Sequence, residues 1–240
     1  MQLTDSLFLF DIDGTLLAVG SPFHAEALQE AVEDVCGVTA DVRAVSLLGR
    51  TDSEILLEVM ALAGVPEPQR WLPQVLAASV IHFRRHLPID LRDRVLPGVP
   101  QTLNWIAARG GCCGLVSGNI EAIAWEKMRA AGLAQHFASG AFGDESAERA
   151  DLPPLAVARA GRAYQPERVY VIGDTPRDIA CGLAGGYQTV AVATGRSSLA
   201  QLRGHGPAFA CASLWEFIEQ LRLQRRDALA GSAGAHSGGA

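Results

Sequence analysis

The sequence lacks the features that mark membrane, secreted and nucleic-acid-binding proteins. No apolar run among its 240 residues is long enough to cross a bilayer. The opening residues, M-Q-L-T-D-S, carry no basic stretch of the kind found in signal peptides. The net charge is −6 and no basic run is present, which argues against a nucleic-acid surface. We therefore expect a cytoplasmic protein whose partners include neither a membrane nor a nucleic acid.

Cysteine is also sparse. The five cysteines are odd in number and form no C-x-x-C pair, so their spacing indicates neither a disulfide framework nor a zinc site. Reduced and mostly buried thiols are the expected state. Apolar residues make up 49% of the chain, which is enough to bury a sizeable core.

What the sequence does contain is a short apolar run that ends in two acids. Leu7 to Phe10 are all large and apolar, which is typical of a strand buried on both faces. Asp11 and Asp13 follow at once, and residues two apart near a strand end project to the same side. Burying like charges together is unfavourable unless a cation or a substrate compensates them. The stretch therefore indicates a functional site.

The order of elements along the chain predicts the fold class. Helical periodicity without any strand signal covers residues 18–93, whereas short strands and helices alternate over residues 94–224. Such alternation is typical of a doubly wound parallel sheet with helices on both faces. We therefore predict an α/β core from residues 1–17 and 94–224, with an inserted all-α domain at 18–93. The Gly-, Ala- and Ser-rich residues 225–240 are expected to be a disordered tail.

Two further polar clusters follow predicted strands, at the edge where open α/β sheets bind ligands. Ser117, Gly118 and Asn119 come after C-G-L-V, and a hydroxyl group with free backbone N–H groups at a helix start favours an anion. Helix capping alone explains this cluster equally well. Asp174 and Asp178 come after V-Y-V-I and face one space if a helix begins between them. Asp178 taken alone is also explained as a partner of the helix dipole.

The D-I-D-G-T-L stretch that contains Asp11 and Asp13 resembles the first motif of the haloacid dehalogenase superfamily, in its phosphatase branch. An Asp-Gly turn after a strand is the alternative explanation. The resemblance implies that Asp11 is the nucleophile, which forms an aspartyl-phosphate, and that Asp13 is the general acid and base. G-D-T-P-R-D resembles the fourth motif, which holds magnesium. The implied Mg²⁺ ligands are the Asp11 carboxylate, the Asp13 backbone carbonyl and Asp174, with Asp178 bound directly or through water.

The second and third motifs concern the phosphate. S-G-N resembles the second motif, so Ser117, Gly118 and Asn119 are implied to bind the phosphoryl oxygens. The third motif is usually a lysine, and the chain has none between residues 143 and 155. We assign that role to Arg149, for which a solvated loop arginine is the alternative. The only lysine of the chain, Lys127, lies in the middle of a predicted helix and is not favoured.

The helical segment resembles the cap that this family inserts after its first motif. Arg50, within G-R-T-D, is the candidate specificity residue of the cap. The resemblance covers nearly the whole chain and is strongest to phosphoglycolate phosphatases. It implies a magnesium-dependent phosphatase, monomeric or homodimeric, that acts on a small phosphorylated metabolite, with 2-phosphoglycolate as a candidate. The alternatives are a phosphomutase of the beta-phosphoglucomutase kind and a non-catalytic binding protein on the same fold.

Overall fold

The sheet has the parallel, doubly wound arrangement that the sequence predicts. The structure is a computed structural model that describes residues 2–19 and 22–234. Within these residues six parallel strands form one sheet in the order β3-β2-β1-β4-β5-β6. The strands are β1 (Leu7–Phe10), β2 (Cys112–Ser117), β3 (Gly140–Phe142), β4 (Val169–Gly173), β5 (Gln188–Val192) and β6 (Phe209–Cys211).

The helices fall into two groups along the chain. Three helices lie between β1 and residue 93, with no strand among them in the described residues: α1 (Pro22–Cys36), α2 (Asp52–Leu62) and α3 (Pro68–His86). The others surround the sheet: α4 (Val99–Ala107), α5 (Glu121–Ala130), α6 (Leu152–Arg159), α7 (Pro176–Ala184), α8 (Leu199–Arg203) and α9 (Leu214–Gly234). We refer to residues 18–93 as the cap and to the sheet with its helices as the core.

Strand β1 is central and buried on both faces, as its four apolar residues predict. Phe8 and Phe10 belong to the apolar cluster formed with α4, α5 and α9. Leu7 and Leu9 point the other way and belong to the cluster formed with α6 and α7. Alternation of side chains along the strand thus supplies both halves of the core.

The chain reverses its direction of travel across the sheet at β1, which has β2 on one side and β4 on the other. Phe10 is in register with Leu115 of β2 and with Ile172 of β4. The loops that follow these three strands therefore open at one edge. Crevices at such switch points are where open α/β sheets bind ligands.

The cap has its own apolar cluster, and this cluster extends into the core. Leu28 of α1, Leu56 of α2 and Phe83 of α3 are fully or almost fully buried within it. Ile120 and Ile123, at the start of α5, belong to the same cluster. The cap is thus packed against the helix that follows the S-G-N loop.

Helix α9 is longer than the sequence predicts. It runs to Gly234, past residue 225, where we expected a disordered tail to begin. The Q-R-R-D-A-L-A stretch has good helix propensity. The guanidinium of Arg225 also donates to Ser6 Oγ (2.8 Å) and to Tyr170 Oη (3.3 Å), which anchors the helix to the sheet. Residues 235–240 of the predicted tail lie outside the described residues.

Two other expectations concern the chain as a whole. All five cysteines carry free thiols. Over residues 2–19 and 22–234, no helix combines the length and the apolar character that a membrane crossing requires.

Phe217→Ala is expected to destabilise the protein by about 3–5 kcal/mol, since it removes a large side chain from a packed site. Phe217 is fully buried, and its ring lies 5.2 Å from that of Phe209 and 6.0 Å from that of Tyr170. Urea unfolding followed by circular dichroism measures the loss. Leu223→Ala on the same helix is the control, because Leu223 is 59% exposed. A loss of under about 0.5 kcal/mol in Phe217→Ala, the scale of surface changes, would contradict the packing described.

Candidate active site

Three acids from two loops meet at the edge of the sheet beyond β1. Asp11 directly follows β1, Asp174 directly follows β4, and Asp178 lies in the first turn of α7. One oxygen from each of these buried side chains lies within 4.8 Å of the others. Thr175 caps α7 and accepts the Asp178 backbone N–H, which turns the helix start toward the other acids. The structure thus brings together three of the acids that the sequence singled out.

The electrostatics of this cluster are strongly unfavourable without a further positive charge. Burial raises the pKa of Asp11 to about 7, helped by the neighbouring carboxylates and opposed by Arg149. Burial likewise raises the pKa of Asp174 to about 8, with added repulsion from Asp178 and Asp11. A single guanidinium does not balance three carboxylates in a medium of low dielectric constant. The cluster therefore favours binding of a cation.

The donor atoms fit a magnesium ion. Asp174 Oδ2 is buried and has no hydrogen-bond partner in the described part of the chain. Its other oxygen accepts from Thr15 Oγ1 at 3.4 Å. Buried polar atoms without partners are rare, and carboxylate oxygens are the ligands that hard divalent cations prefer. Asp178 differs, because Oδ1 accepts from Arg149 and Oδ2 accepts from the Thr175 backbone N–H and Oγ1.

Arg149 is the cation closest to the predicted nucleophile. Its Nη2 lies 3.2 Å from Asp11 Oδ1 and 2.5 Å from Asp178 Oδ1, and the side chain is buried. Burial disfavours the charged guanidinium, but Asp178 and Asp11 outweigh that effect and raise the pKa of Arg149 above its ordinary value. The side chain is therefore a permanent positive charge beside Asp11, and the alternative of a solvated loop arginine does not describe it.

The S-G-N loop is tied both to the core and to the cap. Ser117 Oγ accepts from the Asn119 backbone N–H (3.3 Å) and from Asn119 Nδ2 (3.0 Å). The Gly118 carbonyl accepts from the Asp52 backbone N–H of the cap at 2.7 Å. Asn119 Nδ2 also donates to Asp13 Oδ2 at 2.9 Å. The Asn119 side chain is thus engaged with its neighbours, and the phosphate-binding role of the loop stays a prediction.

Glycine is required at several positions beside the site because of close approach, and two of them lie against the cap and against Asp174. A Cβ atom at Gly118 would lie 2.0 Å from the Arg50 carbonyl oxygen of the cap. A Cβ atom at Gly195, in the loop after β5, would lie 1.7 Å from Asp174 Oδ2. The S-G-N pattern predicts a role for Gly118 through its backbone N–H, whereas no motif marks Gly195.

Lys127, which its place in the middle of a helix did not favour as a site residue, also lies at the site. Its side chain is 2% exposed, and Nζ lies 2.6 Å from Asp13 Oδ2. Burial acts to raise the pKa of Asp13, but the charge of Lys127 and the hydrogen bonds from Lys127 and Asn119 outweigh it and lower that pKa. A signal was present, because Lys127 falls four residues after Ile123 and next to Met128, on the apolar face of α5. A lone lysine at a core-facing position indicates a buried partner.

A cavity of about 610 Å³ lies between the cap and these acids. Asp11, Asp13, Asn119 and Arg149 line its core side. Its cap side combines apolar and polar residues: Val19, Leu28, Val45, Leu47, Leu48 and Ile55 are apolar, and His24, Arg43, Ser46 and Asp52 are polar or charged. Arg50 also lines the cavity, as its place in G-R-T-D suggested, and its guanidinium pairs with Glu54 (2.7 Å) and Glu58 (2.5 Å).

Comparison with known proteins gives a consistent result. Residues 6–186 match the family model described as haloacid dehalogenase-like hydrolase. A phosphoglycolate phosphatase of Rhodospirillum rubrum is 26% identical over 193 residues, which cover 79% of this chain and 80% of that protein.

Solved structures share the fold. A predicted phosphoglycolate phosphatase from Haemophilus somnus 129pt superposes with a TM-score of 0.67 and 16% identity, covering 92% of this chain and 99% of that one. A Thermotoga maritima protein assigned as a beta-phosphoglucomutase gives a TM-score of 0.57 and 18% identity, covering 90% and 98%.

Magnesium is expected to stabilise the protein more at pH 8 than at pH 6. The raised pKa values of Asp11 and Asp174 mean that the folded state without metal binds more protons than the unfolded chain, so its stability falls as the pH rises through about 7 to 8. Mg²⁺ at a hundred times its Kd adds about 2.7 kcal/mol. Melting curves with Mg²⁺ or with EDTA at both pH values measure the effect.

The matched variant for this measurement is Asp174→Asn, which removes one buried charge and keeps the shape of the side chain. It is expected to melt at or above the temperature of the unmodified protein in EDTA and to lose most of the response to Mg²⁺. An unchanged response in Asp174→Asn would show that the ion binds elsewhere.

Proposed function

The chain belongs to the haloacid dehalogenase-like hydrolase family and is a phosphatase, and we propose that it hydrolyses a small phosphomonoester through an aspartyl-phosphate on Asp11. The observation that carries this proposal is the placement of Asp11 on the floor of a cavity, beside the buried acids Asp174 and Asp178 and the cation Arg149. The names of the curated relatives support the reaction type. Their name also makes 2-phosphoglycolate a candidate substrate.

Charge is the main obstacle, because both the phosphate ester and the nucleophile are anionic. We assign a magnesium ion to the Asp11 carboxylate, the Asp13 backbone carbonyl and Asp174, with Asp178 direct or through water; when bound, it neutralises phosphoryl oxygens. Arg149, 3.2 Å from Asp11, offsets further charge on the phosphoryl group. Ser117 and the backbone N–H of Gly118 contribute hydrogen bonds to the phosphoryl oxygens.

Asp11 then attacks phosphorus in line, so that a bond from its carboxylate oxygen forms while the bond to the leaving oxygen breaks. Asp13 is a carboxylate in the free protein because its pKa is lowered, so it passes to that oxygen a proton that it takes from the monoanionic form of the ester. In the second step Asp13 takes a proton from water, whose oxygen attacks phosphorus and releases Asp11. Both side chains line the same cavity, as the two roles require.

The volume and the lining of the cavity indicate the size and the chemical character of a substrate that would fit. Its volume of about 610 Å³ equals that of roughly 20 water molecules. 2-Phosphoglycolate would leave most of that space to water. The cap side offers both apolar residues, such as Leu28 and Ile55, and the cations Arg43 and Arg50. The cavity therefore favours a phosphomonoester that is larger than 2-phosphoglycolate and has an apolar part.

A phosphomutase is the second candidate, since an assigned beta-phosphoglucomutase shares the fold. A mutase returns the phosphoryl group to its sugar, so release of free phosphate from a single substrate separates the two activities. A non-catalytic binding protein is the third candidate, and it would bind phosphate esters without releasing phosphate.

A series of alkyl phosphates from ethyl to hexyl tests the substrate class. Each buried methylene group contributes about 0.8 kcal/mol, so kcat/KM is expected to rise up to about fourfold per carbon. Free phosphate is measured with Mg²⁺ and with EDTA, and 2-phosphoglycolate is included for comparison. Leu47→Ser, at a partly exposed position on the cavity wall, is expected to flatten the trend. A flat series with fast turnover of 2-phosphoglycolate would refute the apolar preference.

Asp11→Asn is expected to abolish phosphate release, because an amide at this position cannot form the phosphoenzyme. Loss of a nucleophile in another hydrolase lowers kcat by several orders of magnitude. The melting temperature should be unchanged or higher, since the substitution removes a buried charge. Asp93→Asn, at an exposed position, is the control and should keep full activity. Near-normal turnover in Asp11→Asn would mean that the nucleophile is assigned wrongly.

A further inference from the structure

Lys127 is buried at the junction between the core and the cap, with all of its donors used. Its Nζ lies 2.6 Å from Asp13 Oδ2, 2.5 Å from Asn119 Oδ1 and 3.2 Å from His24 Nδ1. An ammonium group has three N–H donors and no acceptor. Three acceptors within reach therefore satisfy it completely. Two of them belong to the core, and the third, His24, belongs to helix α1 of the cap.

The hydrogen bonds that begin at Lys127 continue through the cap and return to the core. Because the ammonium can only donate, His24 Nδ1 accepts, which assigns the ring hydrogen to Nε2. That nitrogen lies 3.0 Å from Asp52 Oδ2, an oxygen that also accepts the Ile120 backbone N–H at 2.8 Å. A continuous set of hydrogen bonds thus joins Asp13 to the cap and to the start of α5.

These hydrogen bonds also determine which carboxylate oxygen of Asp13 faces the cavity without a partner. Lys127 and Asn119 both donate to Oδ2. Within the described residues no hydrogen bond reaches the other oxygen, Oδ1. The Asp13 side chain is 33% exposed and lines the cavity. One oxygen of the carboxylate is therefore held while the other is left for proton transfer.

We propose that Lys127 is a positioning residue that orients Asp13 toward the leaving oxygen and does so fully only while the cap supplies His24. This inference rests on the proposed function. Moving the cap away would take one acceptor from a buried ammonium, an unfavourable change that releases Lys127 from its fixed position. Cap closure and the placement of the acid–base group are thereby coupled.

Leaving-group dependence separates this role from simple charge balance in the core. p-Nitrophenyl phosphate needs little protonation of its leaving oxygen, whereas an alkyl phosphate needs a well-placed acid. Lys127→Met is expected to lower kcat roughly 10²-fold for the alkyl ester, the scale of general acid catalysis, and much less for p-nitrophenyl phosphate. KM should change little for either. Equal losses on both substrates would overturn the positioning role.

Lys127→Arg is the second variant, since it keeps the charge but changes the donor geometry. We expect it to fold and to show the same leaving-group dependence in weaker form. The unmodified protein is assayed first on p-nitrophenyl phosphate with Mg²⁺. Failure to turn it over would refute the proposed function and with it the catalytic part of this inference.

The coupling to the cap can be measured without any substrate. Lys127 is the only lysine, so protein labelled with ¹⁵N-lysine gives a single side-chain ammonium signal. We expect slow hydrogen exchange in the unmodified protein and exchange at least tenfold faster in His24→Ala. His205→Ala, at an exposed histidine, is the control and should leave the signal unchanged. Equal exchange in His24→Ala and the unmodified protein would refute the coupling.

Discussion

The concentration of negative charge at the end of β1 is the constraint on which the rest of the site depends. Asp11, Asp174 and Asp178 are buried within 4.8 Å of one another, which raises the pKa values of the first two to about 7 and 8. Isolated, such a cluster is unfavourable by several kcal/mol. The sheet places it at the switch point, where Arg149 offsets part of the charge and the proposed magnesium ion would offset more.

Two buried cations, Arg149 and Lys127, lie at different positions in the site. Arg149 lies between Asp11, the proposed nucleophile, and Asp178 in the first turn of α7. Lys127 contacts Asp13, the proposed acid–base group, and reaches the cap through His24. The two carboxylates with proposed catalytic roles therefore each have a cation of their own. This division allows two neighbouring carboxylates to differ in pKa, since that of Asp11 is raised and that of Asp13 is lowered.

The cap completes the site through its backbone as well as its side chains. The Asp52 backbone N–H donates to the Gly118 carbonyl, and Thr51 Oγ1 donates to the Ala147 carbonyl at 3.0 Å. Leu28 of α1, Ile55 of α2 and residues 43–50 between the two helices form the opposite wall of the cavity. The cap therefore bounds the cavity, whereas the core supplies the proposed reactive groups.

The sequence alone determined the parallel sheet, the helical cap and the acids at the strand ends, because these depend on local pattern: apolar periodicity, turn residues and short motifs. It also selected Arg149 over Lys127 as the cation for Asp11, on position along the chain. It did not give the contacts of Lys127, His24 and Gly195, nor the extension of α9 beyond residue 225. Those depend on residues far apart in the chain, such as Asp13 and Lys127, whose proximity follows from the apolar cluster that β1 and α5 share. Only the tertiary structure decides which distant groups share a low-dielectric space, and that sharing sets their charges and hydrogen bonds.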